Sequence, residues 1–292
     1  MKDNSLEKVF NEWNEFKNEI MYKNRFIIDL PIIKNIEKIF SKKVELLDEG
    51  SIIYRARIYN DKVMNINDLI DAYEKTKKDS ENGDYNFYNQ FRYAEITSRF
   101  ENGEKTGLWG YDKENSFVPK NPNIIKSGRV NPEKIGYLYA GDSEYTALAE
   151  VRAFLEENIS IAEIATNEEL KIVNFTFTGF ESDNEEENNL FFMIMQEFSR
   201  LNKEDPISYI LTQYIGELAK KNGYDGIKYN SSLYGRGRNY AIFNYEKCEV
   251  KGSKLYKLEN VYLEATRILP FKLKEDNKLQ HPKLIERVAK DT

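Results

Sequence analysis

The chain has 292 residues, with 43 Lys and Arg against 49 Asp and Glu, a formal net charge of −6. One cysteine, Cys248, and one histidine, His281, leave no internal disulfide and no Cys-rich zinc site; any catalytic triad, H-E-x-x-H site or histidine proton shuttle would have to use that single imidazole. Net acidity argues against direct nucleic-acid binding, which rests on clustered Lys and Arg.

The 20 Tyr, 17 Phe and 2 Trp supply enough large apolar surface for a globular core. The first residues carry no apolar signal segment, and no apolar run approaches the roughly 20 residues that span a bilayer. The expectation is a cytoplasmic protein with no membrane partner.

Residues 4 to 22 have helical spacing, with Leu6, Val9, Phe10, Trp13, Phe16 and Ile20 on one side. Pro31 suits the first turn of a second helix, whose apolar side is Ile32, Ile33, Ile36, Ile39 and Phe40. Residues 1–50 therefore read as an N-terminal helical extension, more a packing element than a partner surface. Residues 51 to 58 read as a strand. Alternation puts Ile53, Arg55 and Arg57 on one face, which suggests either an edge facing solvent or the floor of an anion site.

A helix over 65–78 and another near 88–100 follow, inside a stretch broken by glycines and prolines. Such a long connection suggests a lid or an insertion, here placed at about 60–125. Regular pattern returns with a strand over 135–140. Ser143 is a good N-cap for a helix to about residue 156, with a buried stripe of Ala147, Leu148, Val151, Phe154 and Leu155 and with Glu150 at its margin. Then come a strand over 170–177 and an acidic run at 181–187, read as the solvated start of a helix. A helix beginning at Pro206 ends at Gly223. Strands over 225–229 and 240–244 flank a polar loop, and a last strand falls within 254–268. A charged tail follows, 266–292 by domain division. The mixed connections favour an α+β fold.

Gly235-Arg236-Gly237-Arg238 matches neither the P-loop nor the dinucleotide fingerprint and reads as a hairpin loop. More informative is a strand-to-helix unit in which a cation (Arg129), a strand-end aromatic (Tyr139) and a helix-borne carboxylate (Glu150) lie within 22 residues. That unit can surround a pocket, or it can be ordinary packing.

Five pieces in order resemble the RES domain family: Tyr54-Arg55-Ala56-Arg57; Gly128-Arg129-Val130-Asn131-Pro132; Tyr137-Leu138-Tyr139-Ala140; Ala147-Leu148-Ala149-Glu150-Val151; and the stretch from Gly223 through Ser231 and Ser232 to Phe243. The resemblance spans about 51–265. It implies a catalytic domain with an ADP-ribosyltransferase-like split mixed sheet flanked by helices. Its members are NAD+-consuming toxins of toxin–antitoxin pairs. By resemblance the catalytic residues are Glu150, Arg55 and Ser231, and Arg129, Tyr139, Arg55 and Ser232 bind NAD+. Glu150 would bond the ribose, the two arginines the pyrophosphate, and Tyr139 would stack.

No metal and no bound cofactor are implied; NAD+ is a substrate, with inorganic phosphate as co-substrate in a phosphorolysis giving ADP-ribose phosphate and nicotinamide. Alternatives are a protein ADP-ribosyltransferase and a non-catalytic nucleotide-binding module. The implied partner is an Xre-type antitoxin covering the active site, with a homo-oligomer left open. The extra length between Arg55 and Arg129, the N-terminal helices, and Val130 where an aromatic is common depart from the family pattern.

Overall fold

The computed structural model describes residues 3–60, 66–83, 86–177, 182–201 and 206–261. His281 and the charged tail lie outside the described residues, as does the part of the last expected strand beyond residue 261.

Helix α1 (Asp3–Asn18) runs into one π-helical turn, Glu19–Lys23, and α2 is Ile32–Lys42. Pro31, at φ −54°, opens α2, where its missing N–H has no helical partner to lose. Of the expected stripes, Val9, Trp13, Phe16, Ile20, Ile32, Ile36, Ile39 and Phe40 are buried, whereas Leu6 and Phe10 face outward. Two strands follow: β1 (Val44–Leu47), within the stretch read as purely helical, and β2 (Ile52–Ile58). The long connection holds α3 (Ile66–Glu81) and α4 (Phe87–Thr106), joined by Arg92, which pairs with Asp68 and Asp71.

Then come β3 (Leu138–Gly141), α5 (Glu144–Val151), β4 (Asn158–Thr166) and β5 (Leu170–Phe175). The chain continues through α6 (Glu185–Ser199), α7 (Ile210–Lys221), β6 (Gly226–Asn230), β7 (Arg238–Ile242) and β8 (Cys248–Lys257). Helix α5 is about one turn shorter than expected. Arg152 adopts the left-handed conformation at φ 52° and closes it, turning the chain toward β4. Phe154 and Leu155 consequently lie outside the helix and are exposed rather than buried.

The eight strands form one mixed sheet in the order β1-β5-β6-β7-β3-β2-β4-β8, in which only β5 and β6 run parallel. The architecture is α+β. Strand β2 pairs with β4 along its whole length, Ile52↔Ala165 to Ile58↔Ile159, but with β3 through Tyr54↔Gly141 alone. The sheet is therefore two ladders hinged at one residue pair. Because β2 has neighbours on both sides, its arginines do not lie on a sheet edge.

Alternating residues of β5 serve two cores. Val173 and Phe175 join the cluster under α1, α2, α6 and α7, while Leu170 and Ile172 face the opposite layer. Helices from the first 50 residues thus share the main core: Phe40 meets Phe175 at 6.0 Å between ring centroids, and Phe175 stacks on Phe198 at 5.0 Å. Among the described residues, no helix is long and apolar enough to cross a membrane.

One acidic residue departs from the solvated reading. Asn184 caps α6 by accepting from the amides of Glu186 (2.9 Å) and Glu187 (3.4 Å). The Glu187 carboxylate is buried, paired with Lys38 and Lys42 of α2 and accepting from Ser182 Oγ at 2.7 Å. These donors, the bond from Lys38 foremost, hold its carboxyl at about 2 against an ordinary 4.5. A depressed folded-state pKa contributes stability above the unfolded value and loses it as pH falls through the folded one. Glu187→Gln is expected to lower the unfolding free energy by about 1–3 kcal/mol near pH 7. The deficit should shrink as pH falls from about 4.5 toward about 2. Denaturant titrations across that range would test this, and a deficit independent of pH would contradict it.

Candidate active site

Where β2 and β3 part, a cleft of about 510 Å³ opens between the two ladders. Tyr54, Arg55 and Ala56 of β2 line one wall, and Tyr139, Ala140 and Gly141 of β3 the other. Glu150 of α5, Arg129, Ser232 and Asn239 complete the polar lining. Five of the six residues expected from the sequence therefore meet in one cavity, and the sixth, Ser231, stands directly behind it.

Glu150 is aimed by the start of its helix. Ser143 caps α5 by accepting from the Thr146 amide at 3.2 Å. Gly141 lets β3 run tight against that helix, since a Cβ there would lie 2.9 Å from the Ala147 nitrogen and from Thr146 Cβ. The cap and the close approach together bring the Glu150 side chain to the cleft. Its Oε1 accepts from Ser231 Oγ at 2.7 Å and from Asn239 Nδ2 at 2.6 Å. Ser231 is buried just after β6, and its Oγ accepts from the amides of Leu233 (3.2 Å) and Tyr234 (2.9 Å). The hydroxyl of Ser231 is thus committed to the protein, whereas its neighbour Ser232 lines the cavity.

Three cations line the same cavity as this carboxylate. Arg55 donates from Nη1 to the Tyr139 carbonyl at 3.1 Å, across the split, and its enclosed Nε has no hydrogen-bond partner. Burial first, and then the charge of Arg57, draw its pKa down to about 10, so it is still charged near neutral pH. The Arg129 guanidinium lies over two rings, Tyr209 at 5.6 Å and Tyr229 at 5.7 Å, with Nη1 3.4 Å from the Glu197 carbonyl. Arg152 reaches the cleft from the left-handed cap of α5. Among the described residues none of the three is ion-paired with a carboxylate. Unpaired cations gathered in a half-enclosed cavity are a site for an anion.

Tyr139 has a second task. Its hydroxyl accepts from the amides of Val130 (2.8 Å) and Asn131 (3.2 Å) and donates to Asn131 Oδ1 at 2.8 Å. Burial outweighs these bonds and pushes its pKa up to about 12, so the phenol stays neutral. Asn131 Nδ2 in turn donates to the carbonyls of Lys126, Pro132 and Ile135. Gly128 is needed here because a Cβ would meet Asn131 Oδ1 and come within 2.9 Å of the Tyr139 hydroxyl. The turn that carries Arg129 is thereby rigid.

Sequence reasoning did not assign Asn239, Arg152, Tyr209 or Tyr229 to the site. Asn239 stood inside a stretch already singled out, and only strand register brings it to Glu150. Arg152 is two residues from Glu150, a spacing that would diverge on a continuing helix; the left-handed cap redirects it. Among the described residues, no cluster of His, Cys, Asp or Glu could hold a metal ion.

A family model described as the RES domain matches residues 105–260, just over half the chain. That span holds Arg129, Tyr139, Glu150, Ser231 and Ser232, while Arg55 precedes it. Among solved structures, the crystal structure of the M. tuberculosis MbcT–MbcA toxin–antitoxin complex aligns with 77% of this chain and 93% of its own, at TM-score 0.35 and 9% identity. No curated protein matches.

Tyr139→Phe removes one oxygen and strands the amide N–H groups of Val130 and Asn131 and the side-chain Oδ1 of Asn131. The expected cost is about 1–3 kcal/mol of stability. Thermal unfolding would measure it, and an unchanged melting temperature would contradict the locked turn.

Proposed function

The chain belongs to the RES domain family, and on that footing we propose that its cleft binds NAD+ and cleaves the bond between nicotinamide and ribose. The observation that carries this reading is a single anchored carboxylate, Glu150, in one cavity with three cations that have no carboxylate partner among the described residues. That charge pattern fits a substrate with a diphosphate at one end and a cationic leaving group at the other.

Arg55 and Arg129 suit the pyrophosphate through charge-assisted hydrogen bonds. Tyr139, which lines the cavity, suits stacking against the nicotinamide or the ribose. As the carbon–nitrogen bond breaks, its electron pair leaves with neutral nicotinamide, and positive charge develops on the ribose. Glu150, bonded to a ribose hydroxyl, stabilises that charge more in the transition state than in the ground state. Neither a metal nor a histidine base is called for.

The acceptor in this reading is inorganic phosphate. One of its oxygens bonds to the ribose carbon and yields ADP-ribose phosphate. Arg152, unpaired at the cleft, adds charge for such a second anion. The loop that a protein acceptor would meet is pinned at Gly237, which is buried, with its carbonyl accepting from the Ser231 amide at 3.0 Å and its own amide donating to the Tyr234 carbonyl at 2.8 Å, while Gly235 and Arg236 at its tip are exposed.

Consumption of NAD+ would arrest growth of the cell that makes the protein. In this reading, which membership of the RES domain family supports, the chain is the toxin of a toxin–antitoxin pair acting in the cytoplasm, with an Xre-type antitoxin shielding the cleft.

Chromatographic assay of nicotinamide release tests the reading. Glu150→Ala is expected to lower turnover by about 100-fold or more while the protein stays folded. Arg129→Ala is expected to raise KM about tenfold, the loss of one charge-assisted bond. A Glu150→Ala variant with wild-type turnover would overturn the role of the carboxylate, and an unchanged KM would remove Arg129 from the diphosphate.

A further inference from the structure

We propose that Asn239 is a positioning residue: with Ser231 it holds one oxygen of Glu150, so that the other is the oxygen offered to the substrate. The inference rests on the reading of Glu150 given above and assigns a task to a residue that the reading does not use.

The two oxygens of the carboxylate are not equivalent. Oε1 accepts both protein donors, Ser231 Oγ at 2.7 Å and Asn239 Nδ2 at 2.6 Å. Oε2 accepts from no protein group among the described residues, although the side chain lines the cleft. Both donors are themselves fixed. Ser231 Oγ already accepts from two backbone amides, so its one hydrogen is directed at Glu150. Asn239 is buried in β7, where it pairs with Gly141 of β3 on one side and Tyr229 of β6 on the other. Its backbone is therefore clamped between two strands, at the lip of the split.

The residue type matters as much as the place. An asparagine supplies a neutral N–H to a carboxylate. An aspartate of the same shape would set a second negative charge against Glu150. With a loosened carboxylate the substrate would still bind in the cleft, but Glu150 would meet the ribose hydroxyl less often in the reactive geometry. The loss should appear in kcat, because the anion-holding arginines are untouched.

The test is steady-state nicotinamide release by wild type, Asn239→Ala and Asn239→Asp, with thermal unfolding of each. The expected result is a fall in kcat of about 10- to 100-fold in both variants, with KM changed by less than about threefold. Asn239→Asp should be no better than Asn239→Ala, although it preserves the shape; a residue that only fills space would give the opposite order. Either variant with a wild-type kcat, or a rise in KM alone, would overturn the inference while leaving the proposed reaction in place. A folded wild-type protein that releases no nicotinamide would instead refute the reaction, and this inference with it.

Discussion

The structure turns on the one-residue pairing of Tyr54 with Gly141. A β-ladder ordinarily satisfies backbone groups along the whole length of two strands. Here β2 gives that pairing to β4 and meets β3 once, so the sheet must open beside the contact. Opening a sheet uncovers polar backbone, and the fold compensates locally. Arg55 reaches over the gap to the Tyr139 carbonyl, and α5 comes in over Gly141. The cleft follows from that divergence, and its polar lining is drawn from the strands that separate.

Two kinds of order meet at this opening. The turn at 126–135 is held by neutral hydrogen bonds: Tyr139, Asn131 and the Gln213 amide, which donates to the carbonyls of Gly128 (2.8 Å) and Asn131 (3.0 Å). The charged groups facing the cavity are less satisfied. Arg55 has an enclosed Nε with no partner, and Arg129 rests on aromatic faces instead of a carboxylate. Unmet charge in a half-enclosed place costs stability, and active sites are where proteins retain it. The N-terminal helices matter to this balance. They cover the face of β5 and β6 opposite the second core, and Lys17 of α1 pairs with Glu197, whose carbonyl lies next to Arg129.

Much of this was legible in the sequence, and what was not has physical reasons. Helices with one apolar stripe, such as α2 and α7, declare themselves by spacing, and Pro31 and Ser143 mark where two of them begin. Strand β4 escapes because it is buried on both faces: Ile159, Ser160, Ile161 and Ala162 are all enclosed, so no alternation survives. Strand β1, four residues at a sheet edge, is too short for a pattern. Arg129, Tyr139 and Glu150 stand close together along one strand-to-helix unit, a spacing that fits ordinary packing as well as a pocket, and it is the resemblance to the RES domain family that joins them to Arg55, Ser231 and Ser232. Asn239 could not be picked out, since its contact with Glu150 depends on the register of β7 against β3. The exposed Phe154 and Leu155 show the same limit, for a left-handed residue ended their helix where apolar spacing suggested that it continue.

In the proposed reaction the cleft transfers the ADP-ribosyl group of NAD+ to a small anion. The most direct measurement is phosphorus NMR of the purified protein with NAD+, with and without inorganic phosphate. The expected result is a new ADP-ribose phosphate signal that grows as inorganic phosphate and NAD+ decline, and that is absent when phosphate is left out. Phosphate and NAD+ signals that both stay constant in the presence of folded protein would contradict it.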